Sequence, residues 1–102
     1  MVSVAALWAA HRDGNKDASD LLLLNYAPLV KYYVGRLEVT EFFDSDEMMD
    51  LGIRGLREAI EQYIPIPEIR FEEYARYKIE SKVLDWIEEN DRSYEEWWVD
   101  GE

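Results

Sequence analysis

The chain has 102 residues, 48% of them apolar and 14% aromatic, which suits one small core and excludes collagen-like, low-complexity and fully disordered classes. It has no cysteine, which excludes disulfides and thiolate chemistry, and its single histidine, His11, excludes a histidine-rich metal site. No apolar run approaches the ~20 residues that span a bilayer, and the N-terminus lacks the pattern of a signal peptide. We therefore expect one cytoplasmic domain over residues 1–102, with no cofactor and no membrane contact.

Charge is distributed unevenly along the chain. There are 11 basic and 23 acidic residues, for a formal net charge of −12. Residues 1–40 carry four of each sign, whereas residues 85–102 carry one basic and eight acidic residues. Because DNA is a polyanion, charge alone argues against a nucleic-acid partner and favours a basic protein surface.

The first half of the chain has a helical pattern. A first helix is predicted over residues 4–11, before a turn at Gly14 and Asn15. The following segment, KDASDLLLLNYAPLVKYYVGRL, predicts a second helix, in which Pro28 should cause a kink or start a new helix. Its apolar residues recur every three or four positions, at Leu22, Tyr26, Leu29, Val30, Tyr33, Val34 and Leu37.

A third helix is predicted for SDEMMDLGIRGLREAIEQYI, with Ser45 as its N-cap. Asp46 and Glu47 lie in its first turn, where the helix dipole favours anions. Gly52 and Gly55 lie about one turn apart and predict close packing against another helix. The apolar face of this helix is predicted at Met49, Ile53, Leu56, Ile60 and Tyr63.

A fourth helix is predicted over residues 71–89, after an extended connection that contains Pro65 and Pro67. Beyond it, a capping box and a last short helix are predicted at residues 93–96, Trp97 and Trp98. No segment alternates with a period of two residues. The sequence thus predicts an all-α fold, a compact bundle of about four main helices.

No catalytic motif is evident, and we predict that the protein is not an enzyme. The chain has no phosphate-binding glycine loop and no H-E-x-x-H zinc motif. His11 has no obvious nucleophile beside it in the sequence. Asp44, Asp46 and Asp50 lack the glycine and terminal glutamate of a calcium loop, so no metal site is expected.

Three segments carry a family resemblance. Residues 25–37 (NYAPLVKYYVGRL), 46–63 (DEMMDLGIRGLREAIEQY) and 70–75 (RFEEYA) resemble, in this order and spacing, region 2 of bacterial sigma factors of the flagellar and sporulation type. The resemblance covers roughly residues 5–92. It implies a compact helical domain with two binding surfaces, one for RNA polymerase and one for promoter DNA.

The resemblance implies that the third helix binds the clamp helices of the RNA polymerase largest subunit. Because those clamp helices are basic in this family, Asp46, Glu47 and Asp50 are the expected contact residues. The alternative is that these carboxylates only compensate the helix dipole.

The resemblance also implies that the fourth helix captures the non-template strand of the −10 element. Tyr74 and Tyr77 lie where the family stacks unpaired bases, and the alternative for each is a place in the core. Arg70 and Lys78 are the expected phosphate contacts. Further basic residues that could meet phosphates are Arg76 and Lys82.

Acidic residues replace family arginines on this helix, at Glu80 and in the segment that contains Glu88 and Glu89. Each replacement turns an attraction for phosphate into a repulsion, so promoter DNA is a doubtful partner. Three functions remain open: a working promoter-recognition domain, a polymerase-binding decoy that has lost DNA contact, and a redesigned sequence on this backbone with no retained activity. A monomer is expected in each case.

Overall fold

The computed structural model describes residues 3–90, which form four α-helices and one short 3-10 turn. They are α1 (Val4–Arg12), α2 (Lys16–Arg36), the 3-10 turn (Val39–Glu41), α3 (Ser45–Gln62) and α4 (Phe71–Asn90). The described residues contain no strand, only an isolated bridge between Ile66 and Ile69. The predicted all-α bundle is confirmed, whereas the helix predicted around Trp97 and Trp98 lies outside the described residues. None of the described helices is long and apolar enough to cross a membrane.

Each of the first three helices begins with a side chain that accepts a backbone hydrogen bond. Ser3 accepts from the amide of Ala6, and Asn15 accepts from the amide of Ala18, both at 3.1 Å. The prediction that Ser45 caps α3 is wrong, because the carboxylate of Asp44 accepts from the amide of Glu47 at 3.0 Å. Ser45 is instead the first helical residue of α3.

Pro28 does not start a new helix, since α2 continues through it as one element. Proline has no amide hydrogen and therefore cannot donate to the carbonyl of Leu24. Both Pro28 and Leu24 lie on the exposed side of α2. Water can hydrate the carbonyl there, which explains why the helix tolerates the proline.

The core lies where α3 packs against both α2 and α4. On the predicted apolar faces of α2 and α3, Val30, Leu56 and Ile60 are buried, whereas Leu29, Tyr33 and Ile53 are half-buried. Met48, not the predicted Met49, is the fully buried methionine of α3. The core residues of α4 are Phe71, Ala75, Ile79, Val83 and Ile87.

Close packing at the two glycines of α3 is confirmed. A Cβ atom on Gly52 would lie 2.6 Å from Cγ1 of Val30 on α2. A Cβ atom on Gly55 would lie 2.5 Å from the carbonyl oxygen of Lys78 and 2.8 Å from the Cα of Ile79. Gly55 thus lets the backbone of α4 approach α3 directly, which fixes the position of the outward-facing residues of α4.

Candidate protein and nucleic-acid interfaces

The first turns of α3 present an exposed acidic surface, which we call the α3 acidic patch and define as Asp46, Glu47 and Asp50. All three are exposed, while the neighbouring Met48 and Leu51 are buried and fix the rotation of the helix. None of the three carboxylates has a salt bridge with another residue of the range 3–90. The patch therefore presents its full negative charge to solvent.

The four residues expected to meet DNA, Arg70, Tyr74, Tyr77 and Lys78, lie on the first half of α4 or directly before it. Tyr77 is 64% exposed and lies opposite the buried stripe, so the alternative that it belongs to the core is wrong. Arg70, just before the helix, is exposed, and Lys78 is half-buried. The ammonium of Lys78 lies 5.8 Å from the ring centroid of Tyr74, which places a cation beside an aromatic face.

Tyr74 has a second set of contacts on its inner side. Its ring centroid lies 5.7 Å from that of Tyr63, and Tyr63 lies 5.4 Å from Phe71. Phe71 in turn contacts Trp8 at 4.9 Å and Tyr26 at 4.6 Å. Tyr74 therefore forms the outer edge of a five-ring aromatic cluster that joins α1, α2 and α4. The side chain that the resemblance expects to stack on a base thus also packs against the core.

Sequence spacing did not reveal this aromatic cluster. The five rings come from α1, α2, the end of α3 and α4, and only the arrangement of these elements in space brings them together. The hydroxyl of Tyr63 also donates to the carbonyl of Ile69 at 2.7 Å, which holds the connection between α3 and α4. The exposed apolar residues of that connection are Ile64, Ile66 and Ile69.

Two of the four basic residues near α4 are neutralised by carboxylates. The Nε of Arg76 donates to Glu80 at 3.3 Å, and Lys82 forms a salt bridge with Glu58 of α3. The hydrogen bond from Lys82 lowers the pKa of Glu58 below its ordinary value. Within the described residues, Arg70 and Lys78 are the basic residues of this surface that have no salt bridge.

The acidic residues of α4 fall into two groups. Glu80 is largely covered, with a side chain 22% exposed, and its charge is matched by Arg76. Glu88 and Glu89, near the end of α4, are exposed and have no salt bridge among residues 3–90. Glu72, Glu73 and Asp85 are likewise exposed and have no salt bridge in that range, so repulsion of phosphate arises along the whole length of α4.

The structure places the hydroxyl of Ser19 2.5 Å from Nδ1 of His11, a side-chain contact between α1 and α2 that the sequence did not reveal. The other ring nitrogen, Nε2, donates to the carbonyl of Ile60 at 3.0 Å, near the end of α3. A carbonyl can only accept, so Nε2 carries the hydrogen. His11 thereby joins α1 to α2 and α3, because both of its ring nitrogens are occupied by packing contacts.

Comparison with known proteins supports a relationship to sigma factors. The chain is 33% identical over 88 residues to the RNA polymerase sigma-D factor of Bacillus subtilis (strain 168). The match covers 83% of this chain and 35% of that protein, so the chain spans about a third of the length of this relative. No protein-family model matches the sequence.

Proposed function

We propose that residues 1–102 form a single domain like region 2 of a sigma factor, which acts in transcription initiation by binding RNA polymerase. The observation that carries the proposal is the 33% identity to the sigma-D factor over 83% of this chain. The all-α bundle supports it, because its exposed surfaces present the residues that the resemblance assigns to binding. The domain has no catalytic role in this proposal.

The α3 acidic patch is the proposed contact for the basic clamp helices of the polymerase largest subunit. Its support is that all three carboxylates are exposed and none is neutralised within the described part of the chain. If the carboxylates served only to compensate the helix dipole, they would be needed only in the first turn of α3. Asp50 lies beyond that turn, which favours a partner as the reason for its charge.

Titration of the full chain with isolated clamp helices tests this contact. The Asp50→Lys variant should bind more weakly and with less salt dependence, since a rim charge mainly tunes the encounter rate. The matched control is Glu61→Lys, which makes the same charge change on an exposed position near the other end of α3. Equal affinity of the unmodified chain and Asp50→Lys at both low and high salt would remove the patch from the interface. Absence of any binding by the unmodified chain would contradict the proposed function itself.

Promoter DNA is the weaker of the two proposed partners. Tyr74 and Tyr77 offer two ring faces, and stacking is worth about 1–3 kcal/mol per base in single-strand complexes. Arg70 and Lys78 supply the remaining cations without a salt bridge in the range 3–90. Against these stand the exposed carboxylates of α4 and the net charge of −12.

We therefore expect no measurable binding of a labelled single-stranded −10 oligonucleotide at physiological salt, as read by fluorescence anisotropy. The combined variant Glu80→Arg, Glu88→Arg and Glu89→Arg should bind weakly, with an affinity that falls as salt is raised. Adding Tyr77→Ala to that variant should weaken the binding further, because only the half-buried ring of Tyr74 then remains for stacking. Micromolar binding by the unmodified chain would show that the charge argument is wrong. Failure of the combined variant would mean that the two tyrosines do not form a stacking platform.

One observation favours a second function, that of a polymerase-binding decoy. Arg76 and Lys82 of α4 form salt bridges with Glu80 and Glu58. The carboxylates of the α3 acidic patch have no salt bridge within residues 3–90. A chain that keeps the polymerase contact and loses the DNA contact would occupy the clamp helices without opening a promoter. Competition between this chain and a full-length sigma factor for polymerase, read by promoter-dependent transcription, separates inhibition from support.

A further inference from the structure

The side of α2 that faces away from α3 and α4 carries an unpartnered apolar ridge. We call it the α2 ridge and define it as Leu21, Leu24, Pro28 and Tyr32. Leu24 is 70% exposed, Tyr32 is 55% exposed and Leu21 is 47% exposed. Intervals of three, four and four residues place these side chains on one helix face. The ridge is therefore continuous over three turns.

Tyr32 is held in position at one end of the ridge. Nη1 of Arg36 donates to its hydroxyl at 3.1 Å, and the guanidinium carbon lies 5.7 Å from the ring centroid. Pro28 in the middle has a fixed ring. Tyr32 and Pro28 therefore lose little conformational entropy when a partner covers them.

The charges beside the ridge suit a second, antiparallel copy of the same helix. Asp20 precedes the ridge and Lys31 lies near its far end, and both are exposed. Asp20 also lies 3.6 Å from Arg57 of α3, but its side chain is 66% exposed and can still meet a second cation. Eleven residues turn the helix through about three full turns plus 20°, so the two charges lie on the same flank. In an antiparallel pair related by a two-fold axis, like flanks meet, which sets Asp20 against the second copy's Lys31 and the reverse.

The apolar residues obey the same symmetry. Leu24 and Pro28 are equally distant from Tyr26 in the sequence. The midpoint between Leu21 and Tyr32 lies less than one residue from Tyr26. An antiparallel partner would therefore place Leu24 against Pro28 and Leu21 against Tyr32. Such a self-complementary pattern is what an isologous interface requires.

The overall charge also favours this side for self-association. Residues 1–40 carry four basic and four acidic residues, so the net charge of −12 arises entirely in the rest of the chain. Two copies that meet through α2 avoid the repulsion they would experience between their acidic surfaces.

We propose that a second copy of this chain packs antiparallel on the α2 ridge and forms a two-fold dimer. The ridge is about 16 Å long, so the buried area is below the roughly 800 Å² per partner of a standard interface. The dimer is accordingly weak and forms at high protein concentration. This differs from the monomer expected from the sequence, and it leaves the α3 acidic patch as a separate surface.

Sedimentation equilibrium of the full chain, from micromolar to millimolar concentration, tests the dimer. Leu24→Glu should raise the dimer dissociation constant about tenfold or more, because it places a charge in the middle of an apolar contact. Leu84→Glu is the matched control, since it makes the same change at an exposed leucine on α4 and should leave the constant unchanged. Circular dichroism of both variants reports whether the fold is kept.

A charge exchange tests the antiparallel pairing independently. Asp20→Lys and Lys31→Asp should each weaken the dimer, whereas the two together should restore it, because every pair is again of opposite sign. Asp20 also contacts Arg57 at 3.6 Å, but the double variant does not regain that contact, so it cannot explain a rescue. A monomer at every concentration, a dimer indifferent to Leu24→Glu, or no rescue in the double variant would overturn the proposal.

Discussion

Two helices that pack against each other, α3 and α4, present charge to solvent in different ways. On α3, the carboxylates of Asp46, Glu47 and Asp50 are exposed and have no salt bridge within the described range. On α4, Arg76 and Lys82 are each matched by a carboxylate. The salt-bridge pairing of the charged residues distinguishes the two surfaces more clearly than their number does, because pairing decides which charges a partner meets.

This difference bears directly on the two proposed partners. A basic protein helix is attracted by unpaired carboxylates, whereas a phosphate backbone needs unpaired cations. Because Arg76 and Lys82 are paired with carboxylates, the attraction of α4 for phosphate is weakened. The attraction of the α3 acidic patch for a basic helix is unchanged. The same fold can therefore keep a protein contact while its affinity for DNA declines.

The largest effect should follow from a change in the core that both surfaces share. Leu56 of α3 is completely buried, and Leu56→Ala should cost about 2–5 kcal/mol of unfolding free energy because it leaves a cavity. Urea denaturation followed by circular dichroism measures the loss. Ile53→Ala is the control, since Ile53 is only half-buried and should cost less. A loss below about 1 kcal/mol for Leu56→Ala would mean that the helix register is wrong.

Much of this fold could be predicted from the sequence. The predicted bounds of α1 and α4 differ from the observed ones by one residue, because proline, glycine and capping residues mark the ends of apolar periodicity. The choice between Asp44 and Ser45 as N-cap failed, since both residue types cap well and only the backbone conformation separates them.

Beyond the close packing at the two glycines of α3, the residues that meet across two helices could not be predicted. The pair formed by Glu58 and Lys82 and the contact of His11 with Ile60 depend on how the helices cross. Spacing along one helix carries no information about the facing helix. The candidate residues of the two surfaces came from the family resemblance, and the structure adds which of their charges are already neutralised.

An intermediate effect is expected where α3 and α4 come closest. Gly55→Ala should destabilise the protein by about 1–3 kcal/mol, because the new methyl group meets the backbone of Lys78 and Ile79, which cannot move aside cheaply. The matched control is Gly35→Ala on α2, where a Cβ atom meets nothing within 4 Å. That variant should be stabilised by up to about 1 kcal/mol, since alanine favours the helix. Equal effects of the two changes would contradict the close approach.

The smallest effect concerns the salt bridge that links the two helices and neutralises a cation of α4. Lys82 lowers the pKa of Glu58, so this carboxylate holds its proton less tightly in the folded chain than in the unfolded one. The resulting stabilisation is present above the unfolded pKa of Glu58 and is lost as the pH falls through the lower folded value. Because both side chains are about one-third exposed, we expect only about 0.2–1 kcal/mol at neutral pH.

Lys82→Met should therefore be less stable than the unmodified chain at pH 7 by that amount, with the difference disappearing in acid. Urea unfolding across this pH range measures it. Arg54→Met serves as the control for the loss of one positive charge, since Arg54 is exposed on α3 and has no salt bridge in the range 3–90. If the pair neutralises Lys82 as the structure indicates, only the Lys82 variant will show the pH-dependent difference. A difference that is independent of pH, or the same in both variants, would mean that Lys82 remains available to a phosphate and that α4 keeps more of its cationic surface than the pairing suggests.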